Sequence, residues 1–534
     1  MFVRPSRLQP DGDAPGPGAA GQRAYLAQAP SAQLEDNLAY LKAELGGSPD
    51  IVFRRIQIGA AQTKAAAVYT DGITDKQTVN EFILRTLMLE LDSSAEPGRS
   101  LLHDINLHAL PVGDVRVLTD WDGILLCLLS GHTIIFVDGT AEAISGDTKG
   151  GEYRAIEEPS SQVVIRGPKD GFTESIGTNV ALVRRRLRSP NLRLEAFRLG
   201  AKSPSNVAIM YVQGIVEDKY VLELSSRLSR IQVDALSGSE QLEELLADQK
   251  TPFPTTMNTE RPDMVSNSLL DGRISIFVDG TPFVLIAPFT FFMGFQSAED
   301  YYQRPEAAFA IMMLRYAALI IALFGPSIYI AAITFHHEMI PTPLLLSLAA
   351  QRETVPFPAF LEAFLMEFTF EVIREAGIRM PRAIGQAVSI VGALVLGQAA
   401  VEAGIISSAM VIVVAITGIS SFANPSYNMA TTIRIVRFTM MVAAAILGFY
   451  GIAIFSLVII GHMCGLSSLT VPYMSLKFPY TPEGERRTVY RIPLATRRSA
   501  ERNNEGAAVG LGARDAALAD KTASQTEQEG KDAQ

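Results

Sequence analysis

The sequence predicts an α/β soluble amino-terminal domain made of two tandem-duplicated subdomains, followed by an all-α helical transmembrane domain. Two observations predict this arrangement: a repeated residue pattern in the first half of the chain and a concentration of apolar residues in the second half. The chain has 534 residues and a mean hydropathy of +0.20, which is high for a soluble protein. That length is sufficient for two or three domains.

The first half of the chain contains an internal repeat whose copies are 141 or 142 residues apart. Four landmarks recur in register: Ser48-Pro49 and Ser189-Pro190, Gly59 and Gly200, Gly72 and Gly214, and Asp138-Gly139 and Asp279-Gly280. One such match arises easily by chance, but four in register indicate a duplication. The predicted subdomains are residues 34–165 and 166–286.

Each copy ends in an Asp-Gly pair between two apolar runs, which is a strong signal for a β-hairpin. We therefore interpret Asp138-Gly139 and Asp279-Gly280 as turns, in preference to a binding role. The second hairpin leads straight into the apolar segment 283–295 and then into the first predicted span. The soluble part should thus connect to the membrane through a strand and not through a loose linker.

Four segments in the predicted membrane domain, residues 287–479, are long and apolar enough to cross a bilayer. They are residues 307–334, 383–402, 405–424 and 438–463. Arg315 is the only charge in the first of them, and Arg434 and Arg437 are the only Asp, Glu, Lys or Arg residues between 403 and 476. The hydrocarbon core of a membrane explains this scarcity of charged residues, because placing a charged side chain in hydrocarbon is costly.

Two further apolar segments are ambiguous. Residues 283–295 are too short to cross and are expected to lie at the interface or to dip into the membrane. Residues 357–373 contain Glu362, Glu367 and Glu371, a pattern typical of an amphipathic helix on the membrane surface or against partner helices. Four spans are therefore preferred, and five remain possible if residues 357–373 also cross. The side of the carboxyl-terminal tail is open for the same reason.

The composition excludes several classes of function. A net charge of −10 argues against nucleic acid as a partner. The two cysteines, Cys127 and Cys464, lie in different regions and predict neither a disulfide nor a metal site. The sequence has no phosphate-binding loop, zinc-protease helix or nucleophile elbow. We therefore expect no enzyme activity, no cofactor and no bound metal.

The two ends of the chain predict disordered tails. Residues 1–33 are rich in Pro, Gly and Ala, and residues 480–534 are polar without apolar periodicity. The amino-terminal segment lacks the apolar stretch of a signal peptide. We therefore expect the soluble part to remain on the cytoplasmic side of the membrane.

Basic residues around the predicted start of the second subdomain form one candidate site. They lie in a turn-rich loop and at the end of the following helix: Arg166, Lys169, Arg184, Arg185 and Arg186. Such a group of basic side chains is suited to binding a lipid headgroup or a phosphate, or to contacting another subunit. A solvated basic face is the alternative, since cations near a helix carboxyl end also favour its dipole.

The second predicted span is the candidate for lining a pore. It has an unusual share of small and polar residues among its aliphatic ones: Gln386, Ser389, Gly392, Leu394, Gly397, Gln398, Val401 and Glu402. Polar residues in a span usually face protein or water, although small residues also serve close helix packing. Leu394 and Val401 are seven residues apart and share a helix face, where aliphatic residues can close a pore by dewetting.

The sequence also resembles a known family, the A subunits of bacterial spore nutrient-germinant receptors, called the GerA family. The resemblance extends over residues 34–479 and excludes both tails. It is carried by Ser48-Pro49-Asp50-Ile51, Tyr69-x-Asp71-Gly72, residues 166–175, residues 287–292, Asp300-Tyr301-Tyr302, residues 335–342, residues 374–377, Ile384-Gly385-Gln386 and residues 401–405.

The resemblance implies a place in the spore inner membrane beside a transporter-like B subunit and a lipoprotein C subunit. In that family the B subunit is taken to hold the nutrient. The A subunit is thought to form a homo-oligomer, a pentamer, that acts as a nutrient-gated ion channel in the lipid bilayer. Neither the nutrient nor the ion is indicated by the sequence.

Three other functions are alternatives to the channel. A secondary transporter is disfavoured, because its repeats usually lie within the membrane and not in the soluble half. A membrane scaffold would use its spans only as anchors. A related GerA-type paralogue would act in dipicolinate release and not in nutrient sensing.

Overall fold

The computed structural model describes residues 29–58, 62–90, 114–150, 159, 162, 164–380 and 397–476. The carboxyl-terminal tail, nearly all of the amino-terminal tail and residues 381–396 of the second predicted span therefore lie outside the described residues. Those that are described fall into two compact units. One contains residues 29–150 and 180–195, and the other contains residues 159–179 and 196–476.

The first unit is built on a five-stranded antiparallel sheet of strand order β1-β2-β4-β5-β3. Its strands are β1 Ile51–Ile58, β2 Thr63–Thr70, β3 Val115–Leu118, β4 Thr133–Val137 and β5 Ala143–Gly146. Its helices are α1 Leu34–Glu44, α2 from Lys76 to Glu90 with two π-helical stretches, and α3 Trp121–Leu129. Both faces of the sheet are covered: α1 and α3 pack on one and α2 on the other.

A second sheet has the same strand order, β6-β7-β9-β10-β8. Its strands are β6 Leu192–Leu199, β7 Ser205–Val212, β8 Met257–Thr259, β9 Ile274–Val278 and β10 Val284–Ala287. Its helices are α4 Ile176–Arg186, α5 Asp218–Arg230, α6 Ser239–Leu246 and α7 Pro262–Leu270. The central strands β4 and β9 are buried along their whole length, which suits their mainly apolar sequences.

Both Asp-Gly pairs lie in hairpin turns as predicted, between β4 and β5 and between β9 and β10. Gly139 and Gly280 each have φ of +88°, a conformation that glycine adopts without strain. The aspartates have a further role, because each accepts a hydrogen bond from the first residue of a helix. Leu34 N lies 3.0 Å from Asp138 Oδ1, and Ile176 N lies 3.2 Å from Asp279 Oδ1.

The segment 283–295 differs from the sequence expectation of a membrane-interface or dipping segment. Its first part is strand β10, buried in the second sheet, and its end is a 3₁₀ turn, Phe291–Phe295. A short apolar run is compatible with either a buried strand or a membrane contact, and the pairing with β8 and β9 makes it a strand.

The carboxyl-terminal part of the second unit is mainly helical. Its described helices are α8 Pro305–Thr334, α9 Thr342–Arg352, α10 Ala359–Arg379, α11 Gly397–Glu402, α12 Ser408–Ser421, α13 Tyr427–Leu447 and α14 Phe449–Gly465. A two-stranded hairpin follows, with β11 Ser467–Ser468 and β12 Val471–Pro472. Among the described residues, α8 and α13 are long and apolar enough to cross a membrane, and α12 and α14 are shorter apolar helices.

The predicted single span over residues 438–463 is divided in the structure. Helix α13 begins earlier, at Tyr427, and ends at Leu447, and α14 begins at Phe449. Gly448 separates them with φ of +60°. A Cβ atom at this position would lie 2.7 Å from His336 Cε1, so glycine is required for space as well as for conformation.

Replacing Asp138 by alanine should destabilise the protein by about 1 kcal/mol, because the amino terminus of α1 loses its side-chain acceptor. The measurement is thermal or denaturant unfolding of the purified full chain in detergent. Glu142→Ala, in the same hairpin loop, is the matched control. Equal stability of Asp138→Ala and the wild type would show that the cap contributes nothing.

Candidate functional site

Helices α10 and α13 are joined by ion pairs, which we call the α10–α13 charge network. It consists of Glu367, Glu371 and Arg374 on α10 and Arg434 and Arg437 on α13. Arg437 Nη2 lies 2.8 Å from Glu367 Oε2 and 3.3 Å from Glu371 Oε1. Arg434 Nη1 lies 3.7 Å from Glu371 Oε2, and Arg374 also contacts Glu371.

The centre of this network is almost inaccessible to solvent. The side chains of Glu367 and Arg437 are 0% and 1% exposed. In the described part of the chain, neither carboxylate oxygen of Glu367 has a well-aligned hydrogen bond, and neither do Arg437 Nε and Nη1. Each charge therefore depends on the other, and removing one partner of a buried pair costs about 3–5 kcal/mol.

Residue spacing explains how five charges meet. Glu367 and Glu371 are four residues apart on α10, and Arg434 and Arg437 are three apart on α13, so each pair lies on one helix face. The two faces are turned toward each other. Glu367 and Glu371 thus mark a face of α10 that packs against a partner helix, which was one of the two predicted alternatives for residues 357–373.

Glu362, the third glutamate of α10, binds Ser407 at the start of α12. Its Oε2 accepts hydrogen bonds from Ser407 N at 3.1 Å and from Ser407 Oγ at 2.9 Å, directly before α12 begins. Arg352, at the end of α9, lies 3.3 Å from its Oε1. A carboxylate is favoured at this position because the first N–H groups of a helix carry partial positive charge. Glu362 therefore fixes α9, α10 and α12 to one another.

The hairpin after α14 packs onto the second sheet, and we call it the return hairpin (residues 466–473). Leu469 and Val471 are part of the core formed by α5, α6 and the sheet. Ser468 Oγ accepts a hydrogen bond from Phe289 N at 2.9 Å and donates one to Thr255 O at 2.6 Å. The helices are consequently held to the second sheet at both ends, through the segment after β10 and through this hairpin.

Tyr473 is the aromatic anchor of the return hairpin. It is fully buried, and its ring centroid lies 6.2–6.3 Å from those of Phe253, Phe289 and Phe291. Its carbonyl accepts a hydrogen bond from Phe291 N at 2.9 Å. Burial raises the pKa of the Tyr473 hydroxyl, which has no hydrogen-bond partner among the described residues.

A third contact joins the second sheet to the start of α13. The hydroxyl of Thr432 donates a hydrogen bond to Pro252 O, in the loop between α6 and β8. In the same loop, Thr251 Oγ1 lies 3.0 Å from His462 Nε2 of α14. Pro252 of this loop thus contacts α13, and Thr251 contacts α14.

The predicted pore residues are only partly described. Gln386, Ser389, Gly392 and Leu394 lie outside the described residues. The others, Gly397, Gln398, Val401 and Glu402, form helix α11. Gln398 Nε2 donates to Glu402 Oε1 at 2.9 Å, and both side chains are exposed in the single chain.

The residues of the predicted basic site differ in their exposure. Arg184 is 2% exposed and makes a bidentate pair with Asp50, at 2.7 and 3.0 Å, and a hydrogen bond to Leu192 O. It is therefore a structural residue of the first unit and not a headgroup contact. Arg185 is partly buried and donates to Gly150 O at 2.9 Å, and Arg186 is also only partly exposed. Arg166 and Lys169, in the second unit, are exposed.

The sequence singles out four of the five members of the charge network, Glu367, Glu371, Arg434 and Arg437, but it does not pair them. The signal was present, because two isolated arginines one turn apart in an apolar helix require acidic partners. The i, i+4 glutamates of the neighbouring amphipathic helix are the matching set. What the sequence could not supply was that these two helices are neighbours.

Comparison with known proteins identifies the chain. The family described as "Bacillus/Clostridium GerA spore germination protein" matches residues 39–503. This chain belongs to the GerA family. The resemblance seen in the sequence is thereby confirmed over most of its length.

Several GerA relatives match nearly the whole chain. Spore germination protein KA of Bacillus subtilis is 46% identical over 465 residues, 87% of this chain and 85% of that protein. Spore germination protein B1 of the same organism is 39% identical over 86% of this chain and 95% of its own length. The N-terminal domain of the A subunit of the Bacillus megaterium spore germinant receptor GerK3 is 38% identical, covering 50% of this chain and 98% of that structure, with a TM-score of 0.40.

Tyr473→Phe should leave stability unchanged or raise it by about 1 kcal/mol, because it removes a buried hydroxyl that lacks a partner. Tyr473→Ala should destabilise by about 3–5 kcal/mol, because it opens a cavity between the phenylalanines. The measurement is thermal unfolding of the full chain in detergent. A loss in Tyr473→Phe equal to that in Tyr473→Ala would mean that the hydroxyl, and not the ring, anchors the hairpin.

Proposed function

We propose that this chain is the A subunit of a spore germinant receptor and that several copies form a nutrient-gated ion channel in the spore inner membrane. The observation that carries the proposal is the family match over residues 39–503, together with relatives that are named spore germination proteins. The activity is that of a receptor and channel, not of an enzyme.

The partners follow from the same proposal. The A subunit works beside a transporter-like B subunit, which holds the nutrient, and a lipoprotein C subunit. One chain has too few helices to enclose a wide aqueous path, so a pore requires several copies around an axis. A closed ring such as a pentamer provides that axis.

We assign the pore to residues 381–404, which contain the second predicted span, residues 383–402. Gln398 and Glu402 lie one turn apart on α11 and are exposed in the single chain, which suits a face turned toward water. The carboxylate of Glu402 would attract cations, and Val401 beside it would narrow the path. Arg166 and Lys169 remain candidates for contacts with headgroups or partner subunits.

The return hairpin supports an even number of crossings. It packs against Phe289 and Phe291, which precede α8, so the chain ends its last helix on the side where it began its first. An odd total of five does not agree with this arrangement, and the predicted set of four needs revision, because 438–463 is not one helix but parts of α13 and α14, which meet at Gly448. The soluble domain and the carboxyl-terminal tail then share the cytoplasmic side, which in a spore is the core.

The soluble domain is proposed to derive from a duplication. The two sheets have the same strand order. Asp138 and Asp279 each accept a hydrogen bond from the first residue of an equivalent helix. Both observations support a duplication. A second hydrogen-bonding pattern recurs as well: Asn37 and Asn179 each bond to the backbone six residues earlier, at Ser31 and Thr173. The proposed boundaries are residues 34–165 and 166–286, with the membrane domain over 287–479.

Deletion of the gene should reduce germination in response to at least one nutrient, and the intact gene should restore it. The measurement is the fall in optical density and the release of dipicolinate from purified spores exposed to separate nutrients. Unchanged responses to every nutrient, with slower dipicolinate release after another trigger, would indicate the release paralogue instead. No change in either would overturn a role in germination.

Val401→Ala should widen the proposed constriction and cause spores to leak ions and germinate without nutrient, because the smaller side chain weakens the hydrophobic barrier. Glu402→Gln should reduce ion flux, because the path loses its negative charge. The measurement is potassium release from dormant and nutrient-treated spores. Val458→Ala, which changes an exposed position of α14, is the control. Normal dormancy and response in both variants at normal protein levels would remove this segment as the pore.

A further inference from the structure

The two sheets carry matching turns that differ in what covers them. Gly72 lies just after β2 and Gly214 just after β7, with φ of +80° and +84°. An isoleucine follows the glycine in both turns, Ile73 in the first and Ile215 in the second. Ile73 is 3% exposed, whereas Ile215 is 47% exposed. The turn of the second sheet therefore presents an apolar side chain that its counterpart keeps buried.

In the first unit the chain covers this isoleucine with its own backbone, through the segment that we call the covering segment (residues 148–150), just after β5. Thr148 O accepts a hydrogen bond from Asp75 N at 2.9 Å, and Gly150 N donates one to Ile73 O at 3.1 Å. A β-bridge between this segment and the residue after Ile73 adds to these bonds. The turn is thus closed by an extended stretch of polypeptide.

The corresponding groups of the second turn are open. Ile215 O and Glu217 N, which correspond to the two bonded groups of the first turn, have no hydrogen bond within the described part of the chain. The chain after β10 goes elsewhere, because Phe289 N is bonded to Ser468 Oγ of the return hairpin at 2.9 Å. The second turn consequently offers the backbone groups that the covering segment uses in the first, with nothing of its own chain bonded to them.

We call this open site the Ile215 notch (Ile215, Glu217, Asp218, Leu270 and Gly272). Its floor is apolar: a Cβ atom on Gly272 would lie 3.1 Å from Ile215 O, and Leu270, two residues earlier at the end of α7, is 47% exposed. One side of the notch is acidic, because Glu217 and Asp218 are both exposed. The notch therefore suits an extended segment that carries an apolar and a basic side chain.

A projecting loop of the same unit, residues 165–169, has this complementary character. Ile165 is 93% exposed, so it contributes nothing to the packing of a single chain. The loop is nevertheless held in place. Arg261 Nη2 donates a hydrogen bond to Pro168 O at 2.9 Å, and a Cβ atom on Gly167 would lie 2.8 Å from the Tyr302 ring. A fixed loop thus presents an isoleucine outward.

The loop also shares a sequence feature with the covering segment. Thr148-Lys149-Gly150 closes the first turn, and Ile165-Arg166-Gly167 repeats the basic residue followed by glycine. The loop has an apolar residue in front of this pair, which suits contact with Ile215. Arg166 is exposed and suits the acidic side of the notch. Opposite charges on two facing surfaces favour one register of docking over others.

We propose that the loop 165–169 of one copy docks in the Ile215 notch of a second copy of this chain. The inference rests on the proposed homo-oligomer and specifies a surface through which its copies meet. The contact joins two different patches, so each copy can donate one loop and accept another. Contacts of this heterologous kind are those that build a ring of copies.

The test uses spores in which the gene is replaced by two differently tagged full-length copies. One chain carries Ile165→Cys and the other carries Ile215→Cys, both at exposed positions. Isolated membranes are treated with a short bis-maleimide reagent, and both tags are followed by immunoblot. We expect a cross-linked product that carries both tags. Chains with only the native Cys127 and Cys464 give the background.

Two further chains sharpen the test. Leu245→Cys, an exposed apolar position of α6, replaces Ile215→Cys as the matched control and should give only background. Arg166→Glu, added to the Ile165→Cys chain, should lower the yield about fivefold, because an attraction between exposed charges becomes a repulsion. Arg166→Lys in its place should keep most of the yield.

The product with both tags, specific to the pair of Ile165→Cys and Ile215→Cys, would support the inference. Absence of that product at normal levels of both chains would overturn it, whether the notch then binds another protein or faces lipid. An equal yield with Leu245→Cys would also overturn it, because the product would then report random collision. Failure of the proposed function is distinguishable, since deletion of the gene would leave every nutrient response intact while the cross-link still formed.

Discussion

Arg437 is a full positive charge inside an apolar helical bundle, and such a charge must have a partner close by. Glu367 supplies it at 2.8 Å, with Glu371 beside it at 3.3 Å. The requirement fixes which face of α10 turns toward α13, and Glu362 then fixes α10 to α9 and the start of α12. The packing of the helices follows from satisfying a few charges in a medium that cannot solvate them.

The second sheet and the helices share one unit because the chain returns to the sheet after its last helix. Leu469 and Val471 complete the same apolar core that α5 and α6 cover. Tyr473 closes a group of aromatic rings against the segment that leads to α8. A change in this sheet therefore reaches the helices at their first residues, at their last residues and at the start of α13.

Local patterns made much of the architecture predictable. The two Asp-Gly pairs predicted both hairpins, since glycine at positive φ and apolar flanking strands specify that turn locally. Helix α8 was predictable because its apolar sequence is long enough to cross a membrane. The interruption at Gly448 was missed, because hydropathy does not distinguish one long helix from two that meet at a turn.

What the sequence by itself determined is therefore what each segment is: two hairpins, apolar helices, an amphipathic helix that carries three glutamates, and membership of a family. Only the tertiary structure decided which segments are neighbours. It made Arg184 a buried partner of Asp50, made part of 283–295 a sheet strand, and brought α10 to α13. The physical reason is that burial and pairing depend on residues distant in the chain, and a single sequence carries periodicity but no distances between its segments.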